Sequence, residues 1–121
     1  MNLKETAAGL DEYWSPRVVA RVNGQFVKVA KVLGEFPWHK HDDEDELFLI
    51  LDGELTIAYE DDTVTLRPGD VHVVPRGRLH HPTCQKECLI ALFEPESTKH
   101  TGDVETDKTR SVSEQLAGFE R

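Results

Sequence analysis

The segment HKHDDEDELFLILDGELTIAY, residues 39–59, decides how the rest of the chain is read. Its apolar part holds two short runs, ELFLIL and ELTIAY, around Asp52-Gly53, a pair suited to the positive φ angles of a two-residue hairpin turn. The pattern predicts two antiparallel strands joined at that turn. In the first strand Glu46, Phe48 and Ile50 share one face, and Leu47, Leu49 and Leu51 share the other. A strand apolar on both faces has to be covered on both, and a small barrel has one interior. Another element or a second copy is therefore expected over the outer face.

Working outward, RVVARV and QFVKVAKVL are joined by Asn23-Gly24 and predict another antiparallel hairpin. Downstream, Glu60-Asp61-Asp62 turns into TVTL, and Arg67-Pro68-Gly69-Asp70 has Pro and Gly placed for a type II turn. VHVV follows and ends at Pro75–Gly77, and CLIALF is the last strand before Pro95. Seven or eight short strands without a long helical period predict an all-β sandwich or barrel over residues 17–94. An N-terminal arm, 1–16, precedes it, and a C-terminal arm, 95–121, follows. Residues 96–110 read as polar and irregular. Ser111–Phe119 reads as a short helix, with Ser111 as cap, Glu114 completing a capping box and Gly118 near the end.

The 121 residues suit one domain. With 14 Lys plus Arg against 23 Asp plus Glu, the formal charge is -9, which opposes binding to nucleic acid or anionic membranes. The longest apolar run, Leu47–Leu51, is far short of the roughly 20 residues of a membrane span. The start of the chain lacks signal-peptide character, so a cytoplasmic protein is expected. Cys84 and Cys88 read as reduced structural thiols, although a tight turn at 85–87 would let them face each other and oxidise.

His39 and His41 leave the same face of an extended segment, at metal-ligand spacing. Glu46 opens an apolar strand, where a carboxylate is partly buried and needs a partner that a cation supplies. Ten acidic residues against one Lys between Lys40 and Asp62 add a field that favours a cation. Phe36 and Trp38 alternate with His39 and read as packing on the opposite face.

Taken together, Gly34, His39-Lys-His41, Glu46 and Gly53 resemble the first motif of the cupin family, except that four residues rather than five separate Gly34 from His39. Gly69, Pro75, Gly77 and His80 resemble the second motif, whose closing Asn is here Cys84. The resemblance implies a cupin barrel, a jelly-roll-like double-stranded β-helix, in which His39, His41, Glu46 and His80 converge on one divalent transition metal per chain. Three imidazoles and a carboxylate suit Fe, Mn, Ni, Co, Cu or Zn without choosing among them.

Phe48 and Ile50 are expected to line an apolar substrate pocket, and Arg76 and Arg78 are candidates for holding a substrate carboxylate. His72, Tyr59 and His100 are the candidate proton-transfer groups. His81, next to His80, points away from the metal. The expected function is metal-assisted isomerase, lyase or dioxygenase-type chemistry on a small oxygenated metabolite, such as a sugar derivative, a keto or hydroxy acid, or an aromatic or polyketide intermediate. The alternative is a non-catalytic small-molecule-binding or sensor protein. The outer face of LFLIL, with Trp14, Phe36 and Trp38, predicts a homodimer.

Overall fold

A computed structural model describes residues 1–119; Glu120 and Arg121, the last two positions of the expected C-terminal arm, lie outside the described residues. The elements in order are α1 (Leu3–Ala8), β1 (Arg17–Val22), β2 (Gln25–Glu35), β3 (Glu46–Asp52), β4 (Leu55–Tyr59), β5 (Thr63–Leu66), β6 (Val71–Val74), β7 (His80–Pro95) and α2 (Val112–Gln115). The fold is all-β and antiparallel, with short helices at its two ends.

β7 is the spine. Along one edge it pairs with β2 over nearly its whole length, from Gln25↔Pro95 to Glu35↔Thr83. Along the other edge it pairs first with β3, from Leu47↔Phe93 to Asp52↔Leu89, and then with β4, from Thr56↔Thr83 to Tyr59↔His80. β6 adds to β3, β5 adds to β4, and β1 pairs with β2 across the expected Asn23-Gly24 turn.

The expected hairpin at Asp52-Gly53 does not form: β3 and β4 follow one another down the same edge of β7. Gly53 makes a bend there with φ +81°, and a Cβ on it would lie 2.8 Å from the Glu87 carbonyl oxygen and 3.0 Å from Cys88 Cα. That close approach, and not a reversal, is what requires glycine. The facing stretch of β7 is a bulge: Val32 pairs with Cys88 and Gly34 with Cys84, so residues 85–87 stand opposite Leu33 alone. No turn reverses the chain between the two cysteines, and both are free and buried.

The interior faces of the strands meet in one core that includes Val32, Phe48, Ile50, Leu55, Ile57 and Ile90. The outer face of the sheet is covered in part from within the chain. α1, capped by the Asn2 side chain on the Glu5 N–H, places Ala7 on Val29, Leu89 and Ala91, with Leu49, Leu51 and Phe93 packed around them. Trp14 and Phe36 are buried inside, and Trp38 is 42% exposed. Most of the apolar surface that suggested a homodimer is thus satisfied within one chain. α2 has the expected capping box between Ser111 and Glu114, and residues 96–110 are irregular. No helix among the described residues is long and apolar enough to cross a membrane.

Candidate metal centre

His39 and His41 lie just beyond β2, where Pro37 has ended the strand. His39 forms an isolated antiparallel bridge with His80, the first residue of β7, through reciprocal backbone bonds of 3.0 and 2.9 Å. Glu46 is the first residue of β3 and faces inward. These four side chains are buried, and one potential ligand atom from each lies within 4.8 Å of the others.

The local hydrogen bonds fix which ring nitrogens face the centre. His39 Nδ1 donates to the Pro37 carbonyl at 2.8 Å, and His80 Nδ1 donates to the Arg78 carbonyl at 3.0 Å. Each ring is left with Nε2 as its lone-pair atom. His41 Nε2 is 3.5 Å and His80 Nε2 3.7 Å from Glu46 Oε1, and neither nitrogen has a hydrogen-bond partner although both are buried. Buried polar atoms without partners are rare. A divalent transition metal fits this donor set and would satisfy those atoms.

The electrostatics differ from ring to ring. Burial lowers the His39 pKa to about 4, with His80 adding to the effect, which keeps the imidazole neutral. For His41 burial pulls downward, but the Glu46 carboxylate outweighs it and leaves the pKa raised. Burial also opposes ionisation of Glu46, yet His41 and His80 beside it hold its carboxyl well below the usual range.

A cavity of about 40 Å3 adjoins His39 and Glu46, walled by Trp14, Phe36, Phe48, Ile90, Leu92 and His100. Phe48 therefore stands where expected, whereas Ile50 is buried in the core and lies outside this wall. Phe36 corrects the alternation argument: the strand stops at Glu35, and the Phe36 ring ends 5.2 Å from the His39 ring and 4.9 Å from the Trp14 ring. Trp38 is outside, stacked on His81 at 4.9 Å.

The remaining candidates divide. His100, brought in by the C-terminal arm, lies in the cavity wall, and its Nε2 accepts the Arg110 N–H at 2.5 Å. Tyr59 and His72 are bonded to each other, O–H to Nε2 at 2.6 Å, and neither lines the cavity. Arg78 lies outside the cavity, with its guanidinium 3.6 Å above the Tyr59 ring and paired with Asp61. Arg76 flanks a separate surface depression, its backbone N–H held by Asp45. Neither arginine side chain reaches the cavity.

Sequence reasoning missed Lys28, Glu94 and Gln115. Lys28 and Glu94 are fully buried, with Nζ 2.9 Å from Oε1 but off the angles of a good hydrogen bond. Lys28 Nζ also donates to Gln115 Oε1 at 2.5 Å, which ties α2 to the interior. Burial, reinforced by the Glu46 carboxylate and opposed by Lys28, pushes the Glu94 carboxyl up to about 8. The signal available was a single Lys among the inward positions Phe26, Ala30 and Val32. Gly102 was missed too: a Cβ there would sit 2.1 Å from the Lys40 carbonyl oxygen, so the C-terminal arm passes directly over the His39-Lys40-His41 backbone.

The family model for the cupin domain matches residues 25–93. The uncharacterized protein YdbB of Bacillus subtilis strain 168 is 38% identical over 80 residues, 65% of this chain and 71% of that protein. Among solved structures, a cupin-2 domain containing protein from Shewanella frigidimarina NCIMB 400 is 41% identical, with TM-score 0.76 over 78% of this chain and 93% of that one. Protein NMB1881 from Neisseria meningitidis is 31% identical, with TM-score 0.72 over 78% of this chain and 97% of that one.

Proposed function

The chain belongs to the cupin domain family, and on that premise we propose that it holds one divalent transition metal through His39, His41, Glu46 and His80 and uses it on a small oxygen-bearing metabolite, by isomerase, lyase or dioxygenase-type chemistry. One observation carries the reading: three buried imidazoles and a buried carboxylate converge, and the Nε2 atoms of His41 and His80 have no other partner. When bound, such a metal supplies Lewis-acid polarisation of a ligand oxygen. The chain's own residues do the rest. Pro37 and Arg78 carbonyls hold two of the rings in the ligating tautomer. Trp14, Phe36 and Phe48 keep water from the adjoining space, and His100 offers the polar contact beyond the ligands.

A second reading, a binding or sensor protein without catalysis, is favoured by the scarcity of proton-transfer groups. Of the three candidates, His100 alone is in the cavity wall. A homodimer in the cytoplasm is also part of the proposal, with exposed Val71, Val73 and Trp38 as its apolar contacts. Light scattering reporting a single 13.7 kDa species at micromolar concentration removes the dimer.

The test of the metal is elemental analysis of untagged protein. One equivalent of metal is expected, and it is lost in His41→Ala and in His80→Ala. Full metal content in either variant defeats the assignment. Turnover of a bound compound that disappears in Glu46→Ala separates the enzyme from the sensor.

A further inference from the structure

We propose that the C-terminal arm, residues 96–115, is a lid over the site. It moves as one piece about its root at residues 95–97, is latched by the Gln115 side chain on Lys28, and lifts to let metal and ligand in and out. The metal-binding reading above supplies what passes through, and the lid itself rests on separate observations.

Something in the wall has to move. His39, His41, Glu46 and His80 are 2, 4, 2 and 0% exposed. The cavity beside them, about 40 Å3, has room for about three waters and is far smaller than an ordinary ligand pocket. Three of its walls are fixed: β2, β3 and β7 are each paired along both edges. Trp14, from the N-terminal arm, is held by its N–H on the Lys31 carbonyl and its indole N–H on the Leu33 carbonyl, at 2.9 and 2.7 Å. The wall that remains is His100, on the C-terminal arm.

That arm is bonded chiefly to itself. Gly102 N–H donates to the Lys99 carbonyl, Val104 N–H to the Thr101 carbonyl and Thr109 N–H to the Thr106 carbonyl. Across these turns the Thr101 and Thr109 hydroxyls meet at 2.9 Å, Arg110 N–H donates to His100 Nε2 at 2.5 Å, and the Gln115 amide donates to the Arg110 carbonyl at 2.9 Å. These bonds close the segment into one body. Among the described residues, its backbone makes two bonds to the backbone of the barrel side. Glu96 N–H reaches the Gly24 carbonyl at the root, and Asp103 N–H reaches the Lys40 carbonyl, each at 3.1 Å. The contacts of Ser97 with Glu44 and of Arg110 with Glu12 are exposed and contribute little.

The far end carries the latch. Gln115 is fully buried although α2 has only four residues, and its Oε1 accepts from Lys28 Nζ inside the barrel at 2.5 Å. With Gln115 withdrawn and no water admitted, the Lys28 ammonium would keep only Glu94 beside it, off the angles of a good hydrogen bond. That loss holds the arm down. Once the arm lifts, water can replace both partners, so opening costs only the net worth of the bond. A polar latch of this kind keeps a lid mostly shut and still releasable. An arm that is rigid within itself, tied at its root and pegged at its tip is built to swing.

The experiment follows hydrogen exchange by mass spectrometry in the full metal-free chain. Amides of residues 98–115 should exchange together, at least about tenfold faster than those of β2 and β7. Gln115→Ala should speed the arm by about a further tenfold and leave β2 and β7 unchanged, while Ser97→Ala, which removes an exposed contact, leaves the arm as it was. The same variants loaded with zinc are then mixed with excess EDTA. Gln115→Ala should quicken zinc uptake and release by a similar factor, with little change in affinity, because a lid acts on both rates; a residue that merely shapes the ligands would quicken release alone. An arm that exchanges no faster than β7 overturns the lid, as does Gln115→Ala loosening β7 to the same degree. Faster exchange with unchanged zinc rates overturns the arm as the route and leaves the metal assignment standing. Protein that takes up no zinc or other divalent metal defeats the metal reading, and the exchange rates alone then decide the lid.

Discussion

At the scale of single residues, the largest electrostatic commitment is the buried Lys28–Glu94 pair. Its partners are not equivalent. Burial has already raised the Glu94 carboxyl to about 8, so near neutral pH it is largely protonated beside Lys28 and stays neutral on loss of Lys28. An ammonium left without its carboxylate keeps only Gln115. Glu94→Leu is therefore expected to destabilise by about 3–5 kcal/mol, Lys28→Met by clearly less, and the double replacement by less than Glu94→Leu alone. Urea denaturation of the three variants measures this. His100 gives a pH dependence. Burial, with Lys28 and Arg110 adding and Glu46 opposing, lowers its pKa from 6.5 to about 4. The unfolded chain then binds the extra proton first, so the His100 contribution is complete above pH 6.5 and lost as pH falls toward 4. The loss is at most about 3 kcal/mol, and His100→Gln should flatten that part of the stability profile. The candidate ligands His39, His41 and Glu46 were legible because His-x-His spacing and a Glu opening an apolar strand are local patterns, whereas His80 entered only through the family resemblance. Lys28, Glu94 and the true face of Phe36 were not, since each depends on which distant residue it meets.

At the scale of elements, the sequence marked turns more reliably than partners. Asn23-Gly24 and the Ser111–Glu114 capping box formed as read, because both are closed by bonds within a few residues. Asp52-Gly53 did not reverse the chain, because β3 and β4 each find a longer-range partner in β7. The same strand ran past both ends of CLIALF and absorbed His80, which no local pattern announces. α1 was read as an arm; its six residues are held by the apolar face of the sheet more than by propensity. The C-terminal arm has the most direct bearing on the site. Gly102 lies against the Lys40 backbone, Asp103 N–H donates to the Lys40 carbonyl at 3.1 Å, and the Asp103 carboxylate accepts the Lys40 N–H at 3.1 Å. Gly102→Ala drives a methyl into that carbonyl and shifts the segment between His39 and His41. Metal affinity should fall by about 10–100-fold while the ligands themselves are untouched, as for other residues that orient ligating histidines. Competition with a chelator reads the change.

For the whole molecule, the spine that organises the sheet is also the last strand in the chain. β2, β3 and β4 are bonded to β7, and β5 and β6 are attached through β4 and β3. A chain cut after Gly77 retains every earlier strand but loses the edges that β2, β3 and β4 share with β7, and with them His80. It is expected to lack a cooperative unfolding transition, and circular dichroism with thermal melting checks this. A stable partial barrel in that fragment would contradict the role given to β7. The same arrangement governs how the protein comes into being. During synthesis the early strands emerge with apolar faces and unbonded edges, and they must wait until Pro95 has cleared the ribosome before their common partner exists. Each copy thus passes through an interval, several seconds long at about 5–20 residues per second, in which its apolar faces and unpaired strand edges are open to contact with other chains.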